Sequence, residues 1–310
     1  MKAKILFMGT PEFAIPCLKK LASNDNYQIV GVVTKPDKPK GRGLLLTPPP
    51  VKTEAEKLNL PVFQPKSLKK GKTCQKIKEL EIDIVAVVAY GKFLPEDIID
   101  LPKIKTINIH PSLLPKYRGA APLYWPIING DTKTGVSCIF LTDEMDAGDI
   151  VLKREIEIGE NDDLCMMHDK LAVLGADCLC EAIDLLMSGQ AKPQTQDSSE
   201  VTFAEKITPE NSRINWNKTA KEIHNFIRGL SPIPGAHSTI DDKKVTIYKS
   251  RLCELSVSGV PGSFACSSND GFLVNTGDGT LELLEIHLEN KRRMSCVDFI
   301  NGYKKEIKFI

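Results

Sequence analysis

Ile107-Asn108-Ile109-His110-Pro111-Ser112-Leu113-Leu114-Pro115-Lys116-Tyr117-Arg118-Gly119-Ala120-Ala121-Pro122 is the stretch on which the reading of the fold turns. It begins as an apolar strand, ends that strand in a polar pair, and continues as a proline-rich loop. Asn108 and His110 are two apart, so an extended chain places both side chains on one face. Pro111 disfavours helical geometry at the residue before it and keeps His110 extended. A strand that finishes in polar side chains suits a parallel sheet, whose ligand crevice lies beyond the carboxyl ends of its strands.

Working outward, apolar runs at 4–8, 29–34, 82–90, 104–110 and 136–141 read as strands. Amphipathic stretches at 13–23, 50–58, 68–80 and 121–129 fall between them, and 162–187 reads as a long helix capped by Asp162 or Asp163 and stopped at Gly189. Such alternation predicts an α/β fold, a Rossmann-like, doubly wound and mostly parallel sheet covered on both faces. Gly9-Thr10-Pro11 turns from the first strand into a helix, but Pro11 and Ala14 stand where a dinucleotide fingerprint has glycines. No nicotinamide nucleotide is therefore expected.

Between 190 and 206 the chain is polar and without period, which predicts a linker after a domain spanning 1–189. From 207 to 310 there is a helix at 219–230, then short strand-like runs at 244–249, 262–265, 271–275 and 281–288 separated by glycine turns. That pattern predicts a smaller C-terminal β-barrel of OB-like type.

Bulk properties narrow the function. The longest apolar run, 82–90, contains Asp83 and is far too short to cross a bilayer, so no membrane association is expected. The amino-terminal apolar stretch ends at Gly9-Thr10-Pro11 with no small-residue cleavage site and reads as a strand rather than a signal peptide. Nine cysteines, an odd number without a Cys-x-x-Cys pair, fit reduced thiols in a cytoplasmic protein. Cys165 with His168, and Cys178 with Cys180, lack the further ligands of a tetrahedral set, so they read as packing residues and no metal is expected. No obligate protein partner is evident.

With a formal net charge of +1, nucleic-acid binding would have to come from local patches. The segment 35–52 is one: it sets Lys35, Lys38, Lys40, Arg42 and Lys52 against Asp37 alone, and prolines stiffen it. Following the second strand, it belongs to the same carboxyl edge as His110, which suits a clamp on a phosphate backbone. Lys291-Arg292-Arg293 with Lys304, Lys305 and Lys308 forms a second basic cluster. For chemistry, a histidine at a strand end is more often structural than catalytic. Here an amide stands beside it, a rigid loop follows it, and four acids follow the next strand: Asp143, Glu144, Asp146 and Asp149. Spacing does not choose among them.

The Asn-x-His-Pro-Ser-Leu-Leu-Pro-x-Tyr-Arg-Gly-Ala-x-Pro string resembles the signature of the folate-dependent formyltransferases, and Met145-Asp146-Ala147-Gly148-Asp149-Ile150 resembles the acidic motif of the same family. This resemblance implies Asn108, His110 and Asp146 as the catalytic trio, with Ser112, Leu113, Leu114 and Pro115 contacting the folate. It implies 10-formyltetrahydrofolate as formyl donor. Phe7-Met8-Gly9-Thr10-Pro11-Glu12-Phe13-Ala14, Lys40-Gly41-Arg42-Gly43, Val88-Ala89-Tyr90-Gly91, Ala204-Glu205-Lys206-Ile207 and Ile227-Arg228-Gly229-Leu230-Ser231-Pro232 are similar to the branch that acts on charged initiator methionyl-tRNA. On that likeness Lys38, Lys40 and Arg42 would meet the tRNA acceptor stem, and the 207–310 domain would hold more of the RNA. A formyltransferase acting on a sugar-nucleotide amine is the alternative. The chain departs from the pattern at Ile233, where the branch has Trp, and at Asn215, where it has Asp.

Overall fold

The computed structural model describes residues 2–40, 43–255, 257–303 and 307–310, with Lys40 described in its backbone only. The chain opens with β1 (Ala3–Gly9), α1 (Ile15–Ala22) and β2 (Tyr27–Val33). A hairpin of β3 (Lys38–Lys40) and β4 (Leu45–Thr47) precedes α2 (Pro50–Lys57), β5 (Val62–Phe63), α3 (Lys72–Lys78) and β6 (Ile84–Val88). Then come α4 (Glu96–Ile99), β7 (Lys105–His110), β8 (Arg118–Gly119), α5 (Trp125–Ile128), β9 (Lys133–Phe140), β10 (Ile150–Glu157) and the long α6 (Leu164–Met187). By compactness the chain divides into two units: Met1–Gly119 with Thr134–Ile156 and His168–Phe203, and Ala120–Lys133 with Glu157–Met167 and Ala204–Ile310.

The first unit is built on a seven-stranded sheet in the order β10-β9-β7-β6-β1-β2-β5. β1 pairs in parallel with β2 and β6, β2 with β5, and β6 with β7, whereas β9 runs antiparallel to β7. The inner strands are apolar on both faces, as a sheet covered on both sides requires. Leu6, Met8, Val33, Ile77, Val85, Val87 and Ile98 form a buried cluster on one face. On α6, Leu171, Ala172, Cys178, Leu179, Ala182 and Ile183 are buried. The Asp163 carboxylate caps that helix by accepting from Met166 N at 2.9 Å. Gly189, at φ 68°, ends it in the left-handed conformation that glycine adopts without strain. The short β5, the hairpin and β10 fall outside the expected strands. The first two are built of strands only two or three residues long, and β10 alternates half-buried with exposed positions toward its charged end.

After β11 (Phe203–Ala204), the second unit continues through α7 (Ala220–Leu230) into β12 (Ala236–Ile240), β13 (Lys243–Leu252), β14 (Phe264–Ser267), β15 (Phe272–Asn275), β16 (Thr280–Leu288), β17 (Arg293–Ser295) and α8 (Cys296–Gly302). The strands form an antiparallel sheet in the order β12-β13-β16-β15-β14, with β17 beside β16. Carboxyl-terminal residues reach both edges: Ile310 exchanges two backbone hydrogen bonds with Thr239, and Phe264 N donates to Ile307 O. All its strand pairs are antiparallel. Ile223, Ile227 and Leu230 recur at helical spacing on α7 and share one core with Val245, Ile247, Phe272, Leu281 and Leu283.

α7 starts where its sequence calls for a start. Thr219 Oγ1 accepts from Glu222 N at 3.2 Å while the Glu222 carboxylate accepts from Thr219 N at 3.0 Å, a reciprocal capping box. Thr219→Ala removes the acceptor for an otherwise unbonded helix N–H. It is expected to lower stability by ~1 kcal/mol, read as a shifted urea midpoint at unchanged slope.

Candidate active site

β7 delivers Asn108 and His110 to the carboxyl edge of the first unit's sheet. Asn108 lies in register with Val87 of β6 and Ile139 of β9, and His110 with Ser137 of β9. Asn108 is half-buried, while the imidazole of His110 is only 5% exposed. Its Nε2 donates to the Tyr117 carbonyl at 2.9 Å. On the other side of the ring, Nδ1 faces Asp146 Oδ1 at 3.5 Å. A carbonyl only accepts, so Nε2 carries the proton of the Tyr117 bond, and Nδ1 is the ring nitrogen turned toward the carboxylate. Of the four acids after β9, Asp146 is the one against His110. Its second oxygen accepts from Gly119 N at 2.9 Å, which fixes the carboxylate plane.

The loop from Ser112 to Pro115 is tied inward. Ser112 Oγ donates to Lys116 O at 2.7 Å, and the Ser137 hydroxyl joins Leu114 N to Ser112 O at 3.0 and 2.7 Å. Leu114 is fully buried beside Ile139 and Ile150. Leu113 is the residue of this loop that stays partly exposed. Two more hydroxyls near the edge, Thr34 after β2 and Tyr90 after β6, are buried with no hydrogen-bond partner, and burial pushes the Tyr90 phenol up to about 12.

Gly148 keeps the acidic turn close to β9: a Cβ there would stand 1.8 Å from the Phe140 carbonyl oxygen. Gln196 and Arg118 also belong to this turn. Gln196 Nε2 donates to Asp146 O at 2.7 Å and Gly148 O at 2.8 Å, and Arg118 reaches Glu144 at 3.2 Å. Neither carried a role in the sequence reading. Gln196 lies in the polar, aperiodic stretch expected to be a linker, and nothing in its neighbours marks it.

On the basic segment, Asp37 accepts from Lys52 at 2.8 Å and from Gln64 at 2.7 Å, so Lys52 is neutralised within the protein. Burial, and then the charges of Lys38 and Lys92, hold the Lys35 ammonium below its usual value. Leu44, Leu45 and Leu46 are between 72% and 74% exposed beside these lysines. Arg42 and the Lys40 side chain lie outside the described residues. In the second basic cluster Arg293 forks onto Glu285 at 2.6 and 2.7 Å and stacks over Tyr248, while Lys304 and Lys305 lie outside the described residues. Cys178 and Cys180 are buried packing residues, Cys165 is exposed, and His168 meets Phe13 edge-on. Among the described residues no group of three or more potential metal ligands occurs.

The carboxyl end of β7 thus carries a histidine–carboxylate pair and an amide on one strand face, the residue types that proton relay and oxyanion stabilisation use. Residues 1–183 match the family described as formyl transferase, and residues 206–304 match the formyl transferase C-terminal domain. The chain belongs to the formyl transferase family. It is 45% identical to the methionyl-tRNA formyltransferase of a Sulfurihydrogenibium species, over 97% of each chain. With the methionyl-tRNA formyltransferase of Citrifermentans bemidjiense it shares 42% identity over 97% of this chain and 94% of the relative. An N-formyltransferase from Helicobacter canadensis, solved with folinic acid and dTDP-3-aminofucose, has the same fold. Its TM-score is 0.69 at 20% identity, covering 91% of this chain and 99% of that one.

Asp146→Asn preserves the shape and the acceptor for Gly119 N but removes the charge facing His110. It is expected to slow single-turnover formyl transfer by ~10²–10⁴-fold with the melting temperature unchanged.

Proposed function

We propose that this chain transfers the formyl group of 10-formyltetrahydrofolate to the α-amino group of methionyl-initiator tRNA. The observation that carries the chemistry is the His110–Asp146 pair on the strand face of Asn108; full-length likeness to methionyl-tRNA formyltransferases supports the acceptor. The amine attacks as the free base, and an α-amino group with a pKa of ~8 supplies a useful neutral fraction at physiological pH. A bond forms between that nitrogen and the formyl carbon, and the carbonyl oxygen takes up negative charge. Asn108 donates an amide N–H to this oxygen, a contact of ~3 kcal/mol when it exists only in the transition state. His110, its ring held between Tyr117 O and Asp146, relays the proton lost by the amine to folate N10 as the formyl carbon–N10 bond breaks. The products are formylmethionyl-tRNA and tetrahydrofolate.

Ser112, Leu113, Leu114 and Pro115 border the folate, chiefly through Leu113 and the backbone, since Ser112 and Leu114 face inward. Lys38, Lys40 and Arg42 engage the acceptor stem; the cluster of Lys35, Lys38 and Lys92, in which burial first and then like charge hold the Lys35 ammonium below its usual value, suits an anionic partner there. In this proposal residues 1–189 are the catalytic domain and 207–310 an OB-like barrel that binds tRNA, joined through 190–206. The backbone bonds of Ile307 and Ile310 to the two edge strands support the barrel. Asn215 accepts from Asn217 N at 3.1 Å, a turn bond that an aspartate makes equally well, and Ile233 is 71% exposed where a contact with RNA is free to differ. No helix of the described residues is long and apolar enough to cross a membrane, which agrees with work in the cytoplasm, where charged initiator tRNA is found.

The test is labelled formyl transfer to charged initiator tRNA, set beside free methionine and a sugar-nucleotide amine. Transfer to the tRNA alone is expected; preference for the sugar amine overturns the reading. Within that assay Arg42→Ala is expected to raise the Michaelis constant for charged tRNA and leave the folate dissociation constant unchanged, since a forked guanidinium–phosphate contact is lost.

A further inference from the structure

We infer that the segment 194–202 is a positioning device for the His110–Asp146 pair, with Gln196 at its centre, rather than a passive tether. The inference rests on the function proposed above. Each acceptor on the His110 ring is presented by a non-glycine residue in left-handed backbone geometry, Tyr117 at φ 64° and Asp146 at φ 54°. That conformation is uncommon for residues other than glycine, more so for tyrosine than for aspartate, and is held by the bonds made around it.

The same short segment grips both. On the Asp146 side, Gln196 Nε2 donates to the carbonyls of Asp146 and Gly148, while its Oε1 accepts from Arg118 Nε at 3.1 Å and Nη2 at 2.9 Å. Both N–H groups and both lone pairs of the amide are thus in use. On the Tyr117 side, Thr202 Oγ1 accepts from Tyr117 N and Thr202 O accepts from Arg118 N, each at 2.9 Å. Gln194 anchors the segment by exchanging backbone bonds with Ile150 at 2.8 and 2.9 Å. Gln196 is buried, so solvent does not replace these bonds if the side chain is lost. No other side chain of similar size supplies two donors and a two-fold acceptor. Glutamate lacks the donors, and methionine lacks both.

The experiment uses the full chain with Gln196→Met, Gln196→Glu and Thr202→Val. Thr202 is exposed, so its variant tests the bracket with little risk to folding. Turnover, the Michaelis constants for 10-formyltetrahydrofolate and charged initiator tRNA, folate affinity, melting temperature and ¹⁵N-histidine spectra are measured. The protein has five histidines, so the His110 ring signals are assignable by His110→Gln. Both Gln196 variants are expected to lose ~10–100-fold in kcat, with both Michaelis constants and folate affinity unchanged, because displacement of the pair costs proximity rather than binding. The His110 ring signals move in all three variants while those of the other histidines stay in place. Wild-type kcat in both Gln196 variants overturns the inference. So does a parallel loss of kcat, folate affinity and melting temperature with His110 unmoved, which is the signature of general loosening. If the wild-type chain formylates none of the acceptors, the functional reading fails instead, and the spectra alone decide: an unmoved His110 in every variant overturns the bracket.

Discussion

A histidine with an acceptor against each ring nitrogen is the constraint that the rest of the first unit serves. An imidazole has its nitrogens on opposite sides, so the Tyr117 carbonyl and the Asp146 carboxylate must close on it from two different loops. Neither loop reaches that position with ordinary backbone angles, and both turn through left-handed residues. The sheet supplies the fixed reference. β7 is held between β6 and β9, and Ser137 of β9 ties the loop after His110 back to the strands through Leu114 N and Ser112 O. Preorganisation of this kind removes motion that would otherwise have to be frozen at the moment of reaction.

Antiparallel β9 carries the chain back from the His110 end of β7 toward its start: Ser137 stands opposite His110, Phe140 opposite Ile107, and Leu141 N donates to Thr106 O at 3.0 Å. The acidic turn therefore leaves the sheet beside the start of β7 and folds back along that strand to bring Asp146 against His110. Phe140 N donates to Asp149 O at 3.0 Å and closes that turn, and Gly148 leaves no side chain to push it away.

How much of this was legible depends on whether the determining information is local. The inner strands and α2, α6 and α7 could be read because apolar period and capping groups are properties of neighbouring residues, as at Asp163, Thr219 and Gly189. β5 and the hairpin were not legible, being shorter than any period that defines a strand. At the site, the shared face of Asn108 and His110 follows from alternation. The choice of Asp146 over Asp143, Glu144 and Asp149 does not: resemblance supplied it, and the structure places that carboxylate against the ring through a φ of 54° that composition does not announce. Gln196 is the sharpest case. A polar residue in an aperiodic run looks solvated, and what separates a bracket from a tether is whether its partners, here fifty residues distant, lie within bonding range.

Charge was legible in kind but not in account. Counting residues over 35–52 yields a strongly basic segment, yet Lys52 is matched by Asp37, and in the C-terminal cluster Arg293 is matched by Glu285. A cation already paired contributes little to holding a phosphate, because forming the new contact means breaking the old one. Lys35 is the opposite case: burial, and then the charges of Lys38 and Lys92, hold its ammonium below its usual value. In a chain of formal net charge +1, a patch of positive potential has to be built from cations whose neighbours are also cations, as Lys35, Lys38 and Lys92 are. Lys35 and Lys92 follow β2 and β6, on the same sheet edge as His110 at the end of β7, and Lys38 opens β3.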